Sequence, residues 1–404
     1  MTHGGPRLAW RRRRGRIGLV AACFVLSALL GCIWNVFALI VRDLEQAFAV
    51  TRVEASLGFS LLALSHAISA PLLAAILARF DSRRVMAWLS LALAAGLGLA
   101  AVAGSLAVFY VAFGLMTGVG TQALGSYFIF ALLANRLHSG TGRAMAIADA
   151  GAGVGLFVGL PAMQLLIVEG SWRLALGVLA ATVAIVGPLV HLLVLPRLRI
   201  GVRRPPGPRE VQGSMRRASI MLGASMLIGA AVLQGLQTQQ VAALQAFGAS
   251  ADASVAVISA IGLAMILCRL GAGMIADRSQ PRTAMLVAAS GATLAFLAIG
   301  AFAVEPWVGW LALYAVAVAT GFSGQGILFA AQARLIFPPR QFLAALSIVR
   351  VCAGMGLFAG PLLAAAAFQI SGYAAMFGTL AMLSLLHFAL FFLSTPRRGG
   401  NCDA

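Results

Sequence analysis

Apolar stretches of about 20 residues, each long enough to cross a hydrocarbon layer, recur twelve times along the chain between short polar interruptions. They run Ile17 to Ile40, Ser56 to Ala78, Val85 to Ala103, Ala107 to Ala134, Ala144 to Val168 and Leu174 to Leu195, then Ala218 to Val241, Ser254 to Ala276, Ala284 to Val304, Val308 to Ala333, Phe342 to Phe368 and Tyr373 to Leu393. A barrel strand would need only about ten alternating residues, whereas these runs are apolar on every side, so the pattern predicts membrane-spanning helices. The first run follows Arg11 to Arg14 and Arg16 like the core of a signal peptide, but it is too long for one and reads as an uncleaved spanning helix.

Composition agrees with lipid as the solvent: the 404 residues are 61% hydrophobic and 10% charged. The net charge of +18 comes from 29 cations, all arginine, against 11 acids. No polar stretch is long enough to fold as a nucleic-acid-binding domain, so the charge is read by its place between the helices. With the N-terminus inside, twenty-four of the arginines fall on the cytoplasmic side, Arg42, Arg52 and Arg173 fall outside, and Arg269 and Arg350 fall within the membrane. Cytoplasmic loops retain arginine, so both termini are expected inside. The division is a basic N-terminus (1–16), a six-helix bundle (17–195), a cytoplasmic linker (196–217), a second bundle (218–394) and a tail (395–404). The linker, with Pro205, Pro206, Pro208 and seven arginines, reads as a solvated tether. Five scattered cysteines, without a CxxC or a His/Cys cluster, imply neither a disulfide framework nor a metal.

The halves echo each other. Gly273, Asp277, Arg278 and Arg282 follow the eighth run much as Ala75, Arg79, Arg83 and Arg84 follow the second, and Gly151, Gly155 and Gly159 precede Pro161 as Gly354, Gly356 and Gly360 precede Pro361. Repeated six-helix halves are an architecture of secondary transporters. On these residues the chain resembles the major facilitator superfamily, whose GxxxDRxGRR loop is matched by Gly273, Asp277 and Arg278 and is degraded around Arg79, Phe80 and Ser82. The segment from Arg143 through Gly151, Gly155 and Pro161 to Ser171, Trp172 and Arg173 is similar to the bacterial monocarboxylate and oxalate:formate carriers, with Ser171 and Asp149 as departures. The resemblance implies two pseudo-symmetric bundles in the bacterial inner membrane and a cytoplasmic latch made by Gly273, Asp277, Arg278, Arg83 and Arg84. It also implies carboxylate binding at Arg269, although Met265 stands where animal members carry an acid, and a basic residue in the eleventh helix, matched by Arg350.

Charge inside a bilayer is expensive, so each such residue has a partner or a task. A guanidinium donates two parallel hydrogen bonds to a carboxylate, which suits Arg269 and Arg350 to an anionic substrate as well as to static pairing. Asp149 is the one carboxylate well inside an apolar run, and an acid that gains and loses an arginine partner can carry a proton. Because the fifth and eighth helices face each other in the superfamily, Asp149 and Arg269 form a candidate gate pair. Asn35, Tyr127, Gln237 and Gln325 are candidate cavity residues along with Gln122, and His66 is a candidate for coupling. Gln234, Gln237, Gln239 and Gln240 read either as an outer gate or as plain interhelical contacts, and His191 and His387 as helix contacts.

The expected function is alternating-access transport of a small organic anion, a monocarboxylate, coupled to protons. The expected protein is a monomer embedded in lipid, with no cofactor, no metal and no nucleic-acid partner. Efflux of drug-like molecules is the alternative, on the partial echo in Gly159 and Pro161. A sensor would need a larger polar output domain, and an enzyme would need a cluster of nucleophile, base or metal ligands.

Overall fold

The computed structural model describes residues 6–137, 141–196, 214–278, 281–337 and 339–394. Each apolar run becomes a helical course. These are α1 (Pro6–Phe48), α2 (Arg52–Arg79), α3 (Ser82–Ala101), α4 (Leu106–Phe109 through Ser126–Arg136), α5 (Thr141–Val154 through Leu160–Glu169) and α6 (Trp172–Leu189 with Val190–Val194). They continue as α7 (Ser214–Ala246), α8 (Ala251–Arg278), α9 (Pro281–Val304) and α10 (Val308–Phe322 with Gln325–Ile336). The last helical run, Pro339–Leu393, breaks at Ser371 and Gly372, giving α11 (339–370) and α12 (373–393). Among the described residues, ten stretches are long and apolar enough to cross a bilayer, and one of these, Val351–Leu393, contains the break between α11 and α12. The chain is an all-α membrane protein.

Local chemistry sets the ends and irregularities. Asp81 caps α3, its carboxylate accepting from the Arg83 amide at 3.1 Å. Ser171 caps α6 by accepting from the Leu174 amide at 3.3 Å. Proline removes a helical donor and crowds the preceding turn. Pro161 follows a widened π turn at Gly155–Gly159, and Pro188 precedes another at Val190–Val194. Gly372 turns the chain from α11 to α12 with φ +69° and ψ −159°, a region essentially closed to residues with a Cβ.

Contacts divide the chain into two units, residues 1–40 with 68–202 and residues 41–67 with 203–404. The division therefore departs from the linear halves: the end of α1 and the first part of α2 group with the second half. Most of the linker, 197–213, lies outside the described residues.

Within the first unit, α5 lies on the main chain of α1 at Gly151 and Gly155. A Cβ added at Gly151 or Gly155 would land on the carbonyl oxygen of Phe24 or Ala28, and one at Gly159 would stand 3.0 Å from the Cys32 sulfur. The second unit repeats this between α11 and α7, where a Cβ at Gly356 or Gly360 would land on the carbonyl of Leu227 or Ala231. Such close approach is how small residues drive helix association when lipid offers no hydrophobic gain. The repeat extends further. Arg83 donates to the Leu195 carbonyl at the end of α6, and Arg282 donates to the Phe392 carbonyl at the end of α12. In both places a cation meets the negative end of a helix.

Candidate functional site

In each unit a few polar side chains gather where a spanning helix is interrupted. In the first unit α4 is not continuous. It widens into a π-helical stretch at Tyr110–Thr117, tightens at Thr121–Ala123 and restarts at Ser126 after an extended Gly125. Two side chains flanking this break reach neighbouring helices. Buried Gln122 donates from Nε2 to Ser69 Oγ of α2 at 3.3 Å, and Ser126 Oγ donates to Asp149 Oδ1 of α5 at 3.3 Å. Asp149 is half-buried. An aspartate in the span is thus seated against the restarted end of a broken helix, on a helix whose own glycines hold it against α1.

Asn35 is half-buried, and its amide nitrogen is spent on the Gly31 carbonyl of its own helix at 2.8 Å. His66 is half-buried in α2, and Gln237 half-buried in α7. The side chains of Tyr127, Arg269 and Arg350, and those of Gly273, Asp277 and Arg278 in the expected latch, lie outside the described residues, although their backbones are helical. Arg83 closes on the end of α6 as described, and Arg84 is exposed.

In the second unit α10 breaks at Ser323 and Gly324 and restarts at Gln325, which is buried. Gly229 of α7 makes room at this point, since a Cβ there would stand 3.0 Å from Gln325 Oε1 and 2.6 Å from His387 Nδ1. His387 is fully buried and stacks with Phe329, their centroids 5.8 Å apart. Ser225 Oγ donates to its carbonyl at 2.7 Å, so α12 is tied to α7. His191 of α6 takes the matching place in the first unit, edge-on to Phe128 at 5.8 Å. Both histidines are helix contacts, as their positions suggested. Tyr314 donates to Gln240 Oε1 at 3.1 Å, an interhelical bond between α10 and α7.

Sequence reasoning missed a third polar group. Arg52, placed in an outer loop by the hydropathy pattern, begins α2 and is 7% exposed. Its guanidinium forks onto Glu45, Nε meeting Oε1 and Nη2 meeting Oε2. The only sequence signal was an acid seven residues before a base across a tight turn. Among the described residues, no group of His, Cys, Asp or Glu is arranged to hold a metal ion.

A sequence profile of the Major Facilitator Superfamily matches residues 22–336, and a second, overlapping match covers 218–402. No curated protein matches the chain by sequence. Among solved structures, a mutant of the nucleoside transporter NupG is similar with a TM-score of 0.77 at 16% identity, over 94% of this chain and 100% of that one. A D-xylose-proton symporter gives 0.74 at 15% identity, over 94% and 98%. The human organic anion transporter MFSD10 (TETRAN) gives 0.62 at 21% identity, over 93% and 99%. At these identities the likeness is one of fold.

Proposed function

Since the chain belongs to the Major Facilitator Superfamily, a family of membrane transporters of small molecules, we propose that it carries a small organic anion, a monocarboxylate, by proton-coupled alternating access. The observation that carries this reading is Asp149, a half-buried aspartate in the spanning part of α5 that meets Ser126 at the break in α4. An ionisable group at membrane depth is costly, and a discontinuous helix supplies unpaired backbone groups where a polar cargo is handled. Arg269 in α8 and Arg350 in α11 lie within apolar runs and offer planar, permanently charged forks for a carboxylate. Protonation of Asp149 would remove a charge from the spanning part of α5, so that proton and anion can move in the same cycle. The organic anion transporter and the proton symporter among the similar structures support the cargo class and the coupling as chemistry that this fold accommodates.

The orientation with both termini in the cytoplasm of a bacterial inner membrane, the monomeric state, and roles for Asn35, Tyr127, Gln237, Gln325 and His66 in the cavity belong to the same proposal. The test is uptake into proteoliposomes under an imposed pH gradient. Labelled short-chain carboxylates should accumulate in the wild-type protein and not with Arg269→Ala. Equal uptake of neutral solutes and none of carboxylates would refute the anion reading.

A further inference from the structure

We propose that Arg52 is a latch for the end of the transporter opposite its termini, holding that end shut until the Arg52 cluster is dismantled. This rests on membership of the transporter family, not on the proposed cargo or coupling ion.

The cluster is built from distant parts of the chain within the second unit. Besides the fork onto Glu45, Arg52 Nη1 donates to Gln239 Oε1 of α7 at 3.0 Å and to the Tyr373 hydroxyl at the start of α12 at 3.5 Å. Its guanidinium lies over the Phe368 ring at the end of α11, 4.7 Å from the centroid. Gln239 in turn donates from Nε2 to Ser56 Oγ of α2 at 3.0 Å. The break at Gly372 allows this enclosure by bringing Phe368 and Tyr373 within 4.6 Å of each other, and Phe247 packs against Tyr373 from the end of α7. Arg42 of α1 makes a parallel tie, donating from Nη2 to the Ala242 carbonyl at 2.8 Å and from Nη1 to Gln245 Oε1 at 3.1 Å, in the last turns of α7.

Two features distinguish this from ordinary packing. Removing a guanidinium and a carboxylate from water costs roughly what their attraction returns, so a buried ion pair is a poor device for stability and is better attested as a device for specifying one arrangement. Apart from the Glu45 fork, which holds the guanidinium in place, the bonds of Arg42, Arg52 and Ser56 run from residues 42–56 of the first repeat to residues 239–373 of the second. Their first-repeat ends fall within residues 41–67, which group with the second unit. Alternating access requires this end to open, and opening parts the α1–α2 corner from α7, α11 and α12. Arg52 is the residue on which those separations converge. By the arginine count this end faces outward.

The test uses the full chain with its native cysteines replaced by serine and one reporter cysteine. Ser56→Cys is nearly isosteric and sits in the buried seam. Ala284→Cys, buried near the start of α9, reports on the opposite end. The readout is the rate of labelling by a membrane-impermeant maleimide in vesicles of each orientation. With Arg52→Gln, labelling at position 56 should rise by about tenfold or more, the shift expected from losing one charge-assisted hydrogen bond, while labelling at position 284 stays unchanged. Gln239→Met, which removes the amide but keeps its shape, should raise labelling at 56 in the same direction, and it stands in if Arg52→Gln does not fold. Unchanged labelling at 56, or an equal rise at both positions, overturns the latch. Because no substrate is used, this outcome is independent of the carboxylate uptake assay.

Discussion

Replacing Gly235 by alanine should destabilise the second unit, and the structure indicates by how much. A Cβ at residue 235 would stand 2.8 Å from the Gly360 carbonyl oxygen and 3.1 Å from the Ala364 Cβ. Carbon and backbone oxygen pack at about 3.3–3.6 Å, so α7 and α11 must part by roughly half an ångström along this contact. Opening a packed seam by that much forfeits about a quarter of the dispersion energy of each atom pair across it. Overpacking of this kind costs about 1–3 kcal/mol, whereas alanine for glycine in a helix returns only about 0.5–1 kcal/mol. The net expectation is a loss of about 0–2.5 kcal/mol, centred near 1 kcal/mol. Gly378, in α12 of the same unit, is the control, because a Cβ there meets nothing within 4 Å. Thermal unfolding of the purified protein in detergent should show Gly235→Ala with a lower Tm than wild type, and Gly378→Ala equal or higher. Equal melting of the two variants would refute the argument that backbone contact at glycine holds α7 to α11.

Two further outcomes follow from other features. Asp149→Asn should abolish proton-driven accumulation in proteoliposomes while sparing exchange of labelled for unlabelled substrate, and accumulation equal to wild type would remove Asp149 from the coupling. Gly372→Ala, at φ +69°, should cost about 1–3 kcal/mol, seen as a lowered Tm, because the α11–α12 turn occupies backbone space that a Cβ forbids.

The helical runs were legible because hydrocarbon leaves the backbone no alternative: a stretch such as Ser254 to Ala276 satisfies its amides internally or does not enter the membrane. The glycines before Pro161 and Pro361 were readable as an echo between the halves, and in the structure Gly151, Gly155, Gly356 and Gly360 lie on a partner backbone. The breaks in α4 and α10 were not readable. Gly125 and Gly324 sit inside apolar runs, and nothing in hydropathy separates a continuous helix from one that stops and restarts. The Arg52 cluster was still less accessible. Its partners Gln239 and Tyr373 are 187 and 321 residues away, and a positional charge count sees only a cation between two helices. On sequence alone Gln239 fits an outer gate or a plain helix contact, and its bonds to Arg52 and Ser56 give it a specific place. Asp81, overlooked beside the degraded loop signature, serves as a helix cap.

The couples α1 with α5 and α7 with α11 are rods touching main chain to main chain, and that has a mechanical meaning. Side chains can swap rotamers to absorb shear, but a carbonyl pressed on a glycine has no such slack. Each couple should therefore swing as a single lever during turnover, and the pliancy the cycle requires is left to the severed midsections of α4 and α10.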